Sequence, residues 1–464
     1  MSTERPTATI SRRTLNQAAL GGAVAAAAGG LASRPARAQA ARPETTKAKL
    51  GFIALTDAAP LFVADEKGFF KKHGMTDVEV LKQSSWGTTR DNLVLGSGAG
   101  GIDGAHILTP MPYLISAGVT TANNVQVPIS ILARLNLAGQ CISVGKEYAT
   151  LKVGADTSGF KRALAAKAAR GEQVKAAMTF PGGTHDMWIR YWLAAGGIDP
   201  NKDITTITVP PPQMVANMKV GTMDTFCVCE PWNRQLINQG IGYTAVTTGE
   251  LWHNHPEKAL GMRSDWVAAH PRATQALLRA VMEAQMWCED PANRDEVARI
   301  CSQRRWINAP YEDIVDRLRG DFDYGTGRVV ENSPQQMRYW KDQASYPFQS
   351  HDLWFLTENI RWGYLPRDFD MKAWVGKVNR EDLWREAAQE LGVAASDIPA
   401  STSRGLETFF DGKVFDPENP MAYLDSLAIK TVRSTWNRGS SPRSAQVDCP
   451  TSTPRLTPAT TASR

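Results

Sequence analysis

The residues that could do chemistry in this sequence gather at three places where a short loop precedes an expected helix. These places are residues 86–89 (WGTT), 182–185 (GGTH) and 229–232 (CEPW). A helix N-terminus presents unpaired N–H groups and a partial positive charge, so it can hold a small anion. Trp86 and His185 add side-chain N–H groups, and an indole N–H can only donate. The pattern therefore indicates a site for a small hydrogen-bond acceptor.

Each of these places also has an ordinary structural interpretation. Gly182 and Gly183 can form a tight turn in which Thr184 caps the helix, and Trp86 can be a core residue. At residues 229–232 the backbone N–H groups, rather than the side chains, would face a ligand. The sequence alone leaves both interpretations open.

Motifs for catalysis or metal binding are weak in this chain. It lacks the Gly-x-Ser-x-Gly, His-Glu-x-x-His and Walker-type phosphate-loop motifs. His253 and His255 lie near Glu257, but residues 254–256 (NHP) are more typical of a turn. Cys227 and Cys229 form a Cys-x-Cys pair without a second ligand pair at a recognisable spacing. We expect no catalytic residue, no metal and no cofactor.

The charge of the chain is unevenly distributed. The net charge is +5, but residues 1–40 and residues 431–464 each carry a net +4, which leaves −3 for the body between them. A mildly acidic body argues against nucleic acid as a partner.

The first forty residues have the order of a twin-arginine export signal. Arg12 and Arg13 precede a weakly apolar, Ala/Gly-rich stretch over residues 18–32, and residues 38–40 (AQA) fit a signal-peptidase site. A flexible Ala-rich N-terminus is the alternative. The signal predicts a periplasmic protein whose mature chain starts near Ala41.

Apolar runs alternate with helix-like segments from residue 47 onward, which predicts an α/β fold with mostly parallel sheets. The composition becomes more helical and Trp-rich after Gly249, and Ser, Thr, Pro and Arg dominate the end of the chain, which predicts a disordered tail. Expected strands cover residues 49–55, 78–81, 102–108, 127–135, 142–144, 177–180 and 225–228. Expected helices cover residues 60–71, 88–95, 185–195, 273–288 and 311–318.

Three segments give the chain a close resemblance to the nitrate- and bicarbonate-binding proteins of ABC importers. They are residues 101–106 (GIDGAH), 179–186 (TFPGGTHD) and 212–218 (PQMVANM), within a similarity that runs from about Lys49 to about Lys430. The resemblance implies a type II periplasmic binding protein fold, with two α/β lobes, mixed sheets and a cleft between the lobes. The expected domains are a signal peptide (1–40), lobe 1 (41–140), lobe 2 (141–245), the rest of lobe 1 with a C-terminal helical region (246–430), and the tail (431–464).

The same resemblance implies a set of ligand-binding residues. The nitrate-binding relatives surround the anion with a Trp, a Gln, a His, a backbone N–H and a Lys, which match Trp86, Gln140, His185, Cys229 and Lys258 here. Gly182, Gly183 and Thr184 are expected to support the site. Relatives commonly have Gly where Cys229 stands, so a side chain now lies beside the backbone donor.

Lys258 decides which anion the resemblance implies. Bicarbonate-binding relatives carry an acidic residue linked to calcium at that position, whereas a Lys supplies positive charge directly. The implied role is capture of nitrate, and also nitrite, for the permease and ATPase subunits of an ABC importer, with membrane contact only through the permease. The alternatives are a receptor for bicarbonate or another oxyanion, a nitrate sensor of the same fold, and an enzyme using Cys229 with His185.

Overall fold

Two five-stranded sheets organise the part of the chain that the structure, a computed structural model, describes, residues 42–434. The predicted signal peptide over residues 1–40 lies outside the described residues, as do residues 435–464 of the predicted tail (431–464). The strands, in chain order, are β1 (Lys47–Phe52), β2 (Asp77–Lys82), β3 (Gly104–Leu108), β4 (Ile129–Arg134), β5 (Gln140–Gly145), β6 (Lys175–Met178), β7 (Thr205–Thr208), β8 (Thr225–Cys229), β9 (Gly242–Thr247), β10 (Lys258–Arg263), β11 (Phe322–Asp323), β12 (Val329–Val330), β13 (Glu407–Thr408) and β14 (Val414–Phe415).

Helices connect these strands and are the main regular elements of the described chain after β10. They are α1 (Ala59–Glu66), α2 (Phe69–Lys72), α3 (Trp86–Leu95), α4 (Met111–Ser116), α5 (Ser158–Ala169), α6 (Thr184–Ala195), α7 (Met214–Lys219), α8 (Trp232–Asn238), α9 (Thr248–Leu251), α10 (Ser264–Ala269), α11 (Pro271–Glu289), α12 (Arg294–Ser302), α13 (Val315–Arg319), α14 (Gln349–Arg361), α15 (Met371–Val378), α16 (Glu381–Leu391) and α17 (Pro420–Ser426).

Both large sheets are mixed, as the family resemblance implies, because one strand in each runs against the other four. The prediction of mostly parallel sheets is therefore confirmed for four of the five strands in each sheet. The first sheet has the order β2-β1-β3-β10-β4 and the second β7-β6-β8-β5-β9. In each sheet one strand, β10 or β5, runs antiparallel to both of its neighbours. These are the first strands formed after the chain passes from one sheet to the other, which a pattern of local periodicity does not record.

The chain crosses between the sheets twice. β4 of the first sheet ends at Arg134 and β5 of the second begins at Gln140, while β9 ends at Thr247 and β10 begins at Lys258. The second sheet is therefore built from one continuous stretch, residues 140–247, that is inserted between two adjacent strands of the first sheet.

Three central strands of the two sheets are buried along their whole length, apart from one terminal residue. Every residue of the central strands β3, β8 and β10 is buried, except Arg263 at the end of β10, because helices cover both faces of such strands. The edge strand β2 instead alternates between exposed and partly buried residues. Continuous burial does not by itself mark the middle of a sheet, because the edge strand β4 is also buried at every residue.

Two predicted helices are interrupted. The helix expected over residues 60–71 is divided into α1 and α2 because Gly68 adopts a left-handed conformation with φ of 74°. The helix expected over residues 311–318 begins as a short 3-10 turn, Tyr311–Asp313, before α13.

Tryptophans join the helical region to the second sheet, whose helix α6 carries Trp188. Trp188 stacks on Trp354 of α14 with ring centroids 5.0 Å apart, and Trp252 meets Trp354 edge to face at 5.1 Å. Stacked and edge-to-face pairs are favourable arrangements for aromatic rings. The high Trp content is therefore partly explained by this packing.

A buried ion pair fixes α14 against the first sheet. Arg134, the last residue of β4, donates to Asp352 of α14, and both side chains are fully buried. Asn379 donates to the other Asp352 oxygen at 2.7 Å. Asp352 therefore balances a guanidinium that has no access to water.

Replacing Asp352 by Ala is expected to lower the free energy of unfolding by about 3–5 kcal/mol, because it leaves a buried charge without its partner. Chemical denaturation followed by fluorescence measures the change. Asp425→Ala is the control, since Asp425 pairs with Arg367 on the surface and its loss should cost about 1 kcal/mol or less. Equal effects of the two variants would contradict this assignment.

Candidate anion-binding site

The five residues implied by the family resemblance converge on one place, where the ends of five elements meet. Trp86 begins α3 and His185 is the second residue of α6; Gln140 begins β5, Cys229 ends β8 and Lys258 begins β10. Gln140 and Cys229 are direct partners between neighbouring strands. None of the five is more than 1% exposed.

Asp57 holds the two sheets together at this cluster. It lies in the 3-10 turn Thr56–Ala58 just after β1. One of its oxygens accepts from Lys258 Nζ at 2.7 Å and from Gln140 Nε2 at 3.0 Å, and the other pairs with His106 Nε2 at 2.6 Å. Sequence reasoning missed Asp57, although its place after the carboxyl end of a strand is where α/β sheets bind ligands.

Glu257 is a second carboxylate in the cluster, and sequence reasoning also missed it as a site residue. It accepts from Lys258 Nζ at 2.9 Å and from Trp188 Nε1 at 2.8 Å, and it accepts the Thr184 hydroxyl. His185 Nε2 lies 3.6 Å from Glu257 Oε1. Glu257 thus connects His185 to Lys258.

Burial and mutual attraction set the protonation of these groups. Burial alone would raise the pKa of Asp57, but the nearby Lys258 and His106 lower it below its ordinary value. Burial opposes the charge of Lys258, yet Asp57 and Glu257 raise its pKa. Burial raises the pKa of Glu257. Lys258 is consequently a cation that Asp57 and Glu257 hold in place.

His185 is neutral in this environment. Burial, followed by the charge of Lys258, places the pKa of His185 well below its ordinary value. Its Nδ1 is 2.6 Å from the Thr179 hydroxyl, and its Nε2 has no hydrogen-bond partner within residues 42–434.

Several donors in the cluster remain available for a ligand. The Trp86 indole N–H is fully buried and, like His185 Nε2, makes no hydrogen bond to any described residue. Asp57 and Glu257 take two of the three hydrogens of the Lys258 ammonium, and Asp57 takes one of the two amide hydrogens of Gln140. Since buried polar groups are normally paired, unpaired donors at one place indicate a site for an acceptor.

The helix start beside His185 differs from the expected one. α6 begins at Thr184, so Gly183 is its N-cap residue, and Thr184 uses its hydroxyl on Glu257 instead of capping the helix. Gly182 has φ of 77°, and a Cβ there would lie 2.7 Å from Asn359 Oδ1. A Cβ on Gly183 would lie 2.6 Å from Leu108 Cδ1, so local packing requires both glycines, whereas the expected capping role of Thr184 is wrong.

The start of α3 is capped by the residue before Trp86. The Ser85 hydroxyl accepts from the Thr88 backbone N–H at 3.1 Å. The Trp86 side chain packs beside the ring of His106, with centroids 5.3 Å apart. The Lys258 ammonium lies 5.9 Å from the centre of the Trp86 ring. Trp86 is thus both a buried ring and an unpaired donor.

Contacts beside Cys229 join the first sheet to the second. The Thr56 backbone N–H donates to Glu230 O at 3.0 Å, and Trp232 Nε1 donates to Ala54 O at 3.1 Å. The Cys229 thiol lies 3.7 Å from the Thr56 hydroxyl. The two lobes are in direct contact at the edge of the cluster.

The alternative chemistries fit this region poorly. Exposed His253 contacts Gln335, whereas buried His255 contacts Thr248. Within residues 42–434 no three or more His, Cys, Asp or Glu side chains are arranged so that they could hold a metal ion. Burial raises the pKa of the Cys229 thiol well above its ordinary value, which disfavours a reactive thiolate.

No helix within residues 42–434 is long and apolar enough to cross a membrane.

Two α/β lobes joined by two crossings, with a buried polar cluster where strand ends meet, define a periplasmic binding protein fold of type II. The chain belongs to the NMT1-like family, whose model matches residues 41–302. It is 63% identical over 393 residues to the Nitrate/nitrite binding protein NrtA of Synechocystis sp. (strain PCC 6803), covering 84% of this chain and 87% of that protein.

A more distant relative is named for a different anion, bicarbonate. The chain is 44% identical over 406 residues to the Bicarbonate-binding protein CmpA of Synechococcus elongatus, covering 86% of this chain and 90% of the relative. Among solved structures, the periplasmic nitrate-binding protein NrtA from Synechocystis PCC 6803 matches with a TM-score of 0.82 over 84% of this chain and 100% of that one. The predicted fold is confirmed.

Proposed function

We propose that this protein captures nitrate, and also nitrite, in the cluster around Lys258 and delivers it to the permease and ATPase subunits of an ABC importer. The observation that carries the proposal is a buried ammonium surrounded by unpaired donors, in a chain that is 63% identical to a nitrate/nitrite-binding relative. Binding and release require no chemical step, which argues for a receptor rather than an enzyme.

The chemistry of nitrate suits these donors. Nitrate is planar, carries one negative charge and has three equivalent acceptor oxygens. Trp86, Gln140 and Lys258 each have an available N–H, and the Cys229 backbone N–H is proposed as a further donor. His185 Nε2 is a fifth donor when the Thr179 hydroxyl donates to Nδ1 of the neutral ring. Hydrogen bonds to a charged group contribute about 1.5–3 kcal/mol each, so a few of them reach the roughly −8 kcal/mol of micromolar binding after ordering costs.

The two lobes provide the means of capture. Their contacts at Thr56 and Trp232 lie beside the cluster, so separation of the lobes would open it and their approach would exclude water. A permease can recognise the pair of lobes when they are together. Contact with the membrane is then needed only through the permease.

A bicarbonate receptor is the second candidate, favoured by the 44% identical bicarbonate-binding relative. Lys258 argues against it, since its ammonium occupies the position where the resemblance implies an acidic residue and calcium. Nitrate therefore remains the preferred ligand.

Titration calorimetry with nitrate, nitrite, bicarbonate and sulfate tests the ligand. We expect nitrate and nitrite to bind without calcium, and sulfate to bind poorly because it is tetrahedral and divalent. Lys258→Glu should abolish nitrate binding, whereas Lys47→Glu on the exposed end of β1 should leave it unchanged. Thermal unfolding of each variant verifies folding, and Lys258→Met is the second variant if Lys258→Glu does not fold. Unchanged affinity after either substitution would overturn the assigned site.

Trp86→Phe tests the unpaired indole donor while keeping a buried aromatic ring. Loss of one hydrogen bond to a charged ligand should weaken nitrate binding by about 1.5–3 kcal/mol, or roughly 10- to 150-fold. Trp266→Phe, on helix α10 outside the cluster, is the matched control. If both variants bind like the unmodified protein, the indole N–H does not contact the anion.

We also propose that the protein works in the periplasm after twin-arginine export. Arg12→Lys combined with Arg13→Lys should keep the full-length precursor in the cytoplasm, because the pathway recognises the arginine pair. Cell fractionation and the mass of the processed protein, expected to start near Ala41, measure the outcome. Arg34→Lys in the same segment is the control. Normal export of the double variant would contradict this route.

A further inference from the structure

The charges of the buried cluster do not leave a free positive charge for an anion. Lys258 Nζ lies 2.7 Å from Asp57 and 2.9 Å from Glu257, and all three side chains are fully buried. One ammonium therefore faces two carboxylates before any ligand is considered. A monoanion that enters this cluster adds a further negative charge.

Such an excess of negative charge is expensive in a buried site. An unpaired ion is strongly disfavoured when it is removed from water, and like charges at close range repel. The hydrogen bonds available from Trp86 and Gln140 come from neutral groups, so they reduce this cost without changing the net charge. A proton bound along with the anion removes the excess directly.

Asp57 is not the carboxylate that needs this proton. It is the nearer partner of Lys258, and it also accepts from Gln140 Nε2 and pairs with His106 Nε2. These contacts stabilise its charge. Glu257 is the carboxylate whose negative charge remains to be balanced.

His185 is placed to balance Glu257. Its Nε2 lies 3.6 Å from Glu257 Oε1 and has no hydrogen-bond partner among the described residues. His255 lies 3.9 Å from Glu257, but its two ring nitrogens already contact Thr248 and the Pro256 carbonyl. The titratable or charged groups that act on His185 are Asp57, His106, His255, Glu257 and Lys258.

We propose that the protein binds its anion together with one proton, which the His185–Glu257 pair retains. The inference rests on the proposed function and specifies its ligand as a monoanion plus a proton. The proton comes from solvent and returns to solvent when the anion leaves, with no covalent change. Glu257 thereby determines the charge of the ligand that the site accepts.

The direction of the pH dependence follows from the state of each group. Burial lowers the pKa of His185 and raises that of Glu257, and a bound anion beside them raises both further. At pH values between the pKa of the His185–Glu257 pair in the free protein and its higher pKa in the complex, one proton is taken up with each anion. Affinity then falls by up to about tenfold for each unit of rising pH, and by linkage the anion strengthens proton binding equally.

Calorimetric titration of nitrate into the full protein, in buffers that differ in ionisation enthalpy, measures proton uptake directly. In a series of titrations at successive pH values, we expect uptake to approach one proton per nitrate in the range where the affinity decreases with rising pH. Glu257→Gln keeps the shape of the side chain and removes its charge. In this variant proton uptake and the pH dependence should disappear.

Glu358→Gln is the control, because Glu358 is also a fully buried carboxyl with a raised pKa but contacts Arg361, Trp362 and Tyr423 instead. It should take up protons like the unmodified protein. Nitrate binding without proton uptake and with constant affinity over this pH range would overturn the coupling and leave the proposed function standing. If nitrate does not bind at any pH, the proposed function fails, and the coupling fails with it. The buffer series on the unmodified protein decides these outcomes even if Glu257→Gln does not fold.

Discussion

The ammonium of Lys258, enclosed between Asp57 and Glu257, is the interaction on which the rest of the site depends. Asp57 follows β1, while Glu257 and Lys258 lie where the chain returns from the second sheet to the first. A buried cation is stable only when its partners are held firmly. The same two carboxylates also contact Gln140 and Thr184 of the second lobe, so one charge organises groups from both lobes.

This arrangement explains why neutral donors and a cation occur together. Asp57 and Glu257, which belong to the same lobe as Lys258, neutralise its charge. The ammonium therefore serves to orient these two carboxylates as well as to attract an anion. Trp86 and His185 supply directed N–H groups that a planar acceptor can use. We therefore expect selectivity to come from the total charge and the shape of the ligand rather than from strong attraction to any anion.

The sequence predicted much of the fold and part of the site. The positions of the main strands, the helix after residues 182–183 and the Trp-rich helical region were predicted from periodicity and glycine positions. The five residues Trp86, Gln140, His185, Cys229 and Lys258 came from family motifs, and periodicity alone would not have brought them together. Their contact with a ligand remains a prediction.

The errors have physical causes. Strand direction depends on which sheet the chain enters, and this is a long-range property, so β5 and β10 were not expected to be antiparallel. Asp57 and Glu257 were missed because isolated acidic residues are usually solvated, and only tertiary contacts show otherwise. Thr184 was expected to cap α6, but a buried carboxylate accepts its hydroxyl more favourably than the helix end does.

The position of β10 has a consequence for the order in which the protein is made. β10 lies between β3 and β4, so the first sheet lacks the strand that joins β4 to the rest until the ribosome has synthesised the whole second lobe and residues 258–263. The second lobe is one continuous stretch and can fold earlier, whereas the first must wait with β3 unpaired on one side and β4 without a neighbouring strand. Lys258 is the first residue of the late strand. The step that adds β10 to the first sheet therefore also places the Lys258 ammonium beside Asp57. A chain that ends before residue 258 has no Lys258 to balance the charge of Asp57.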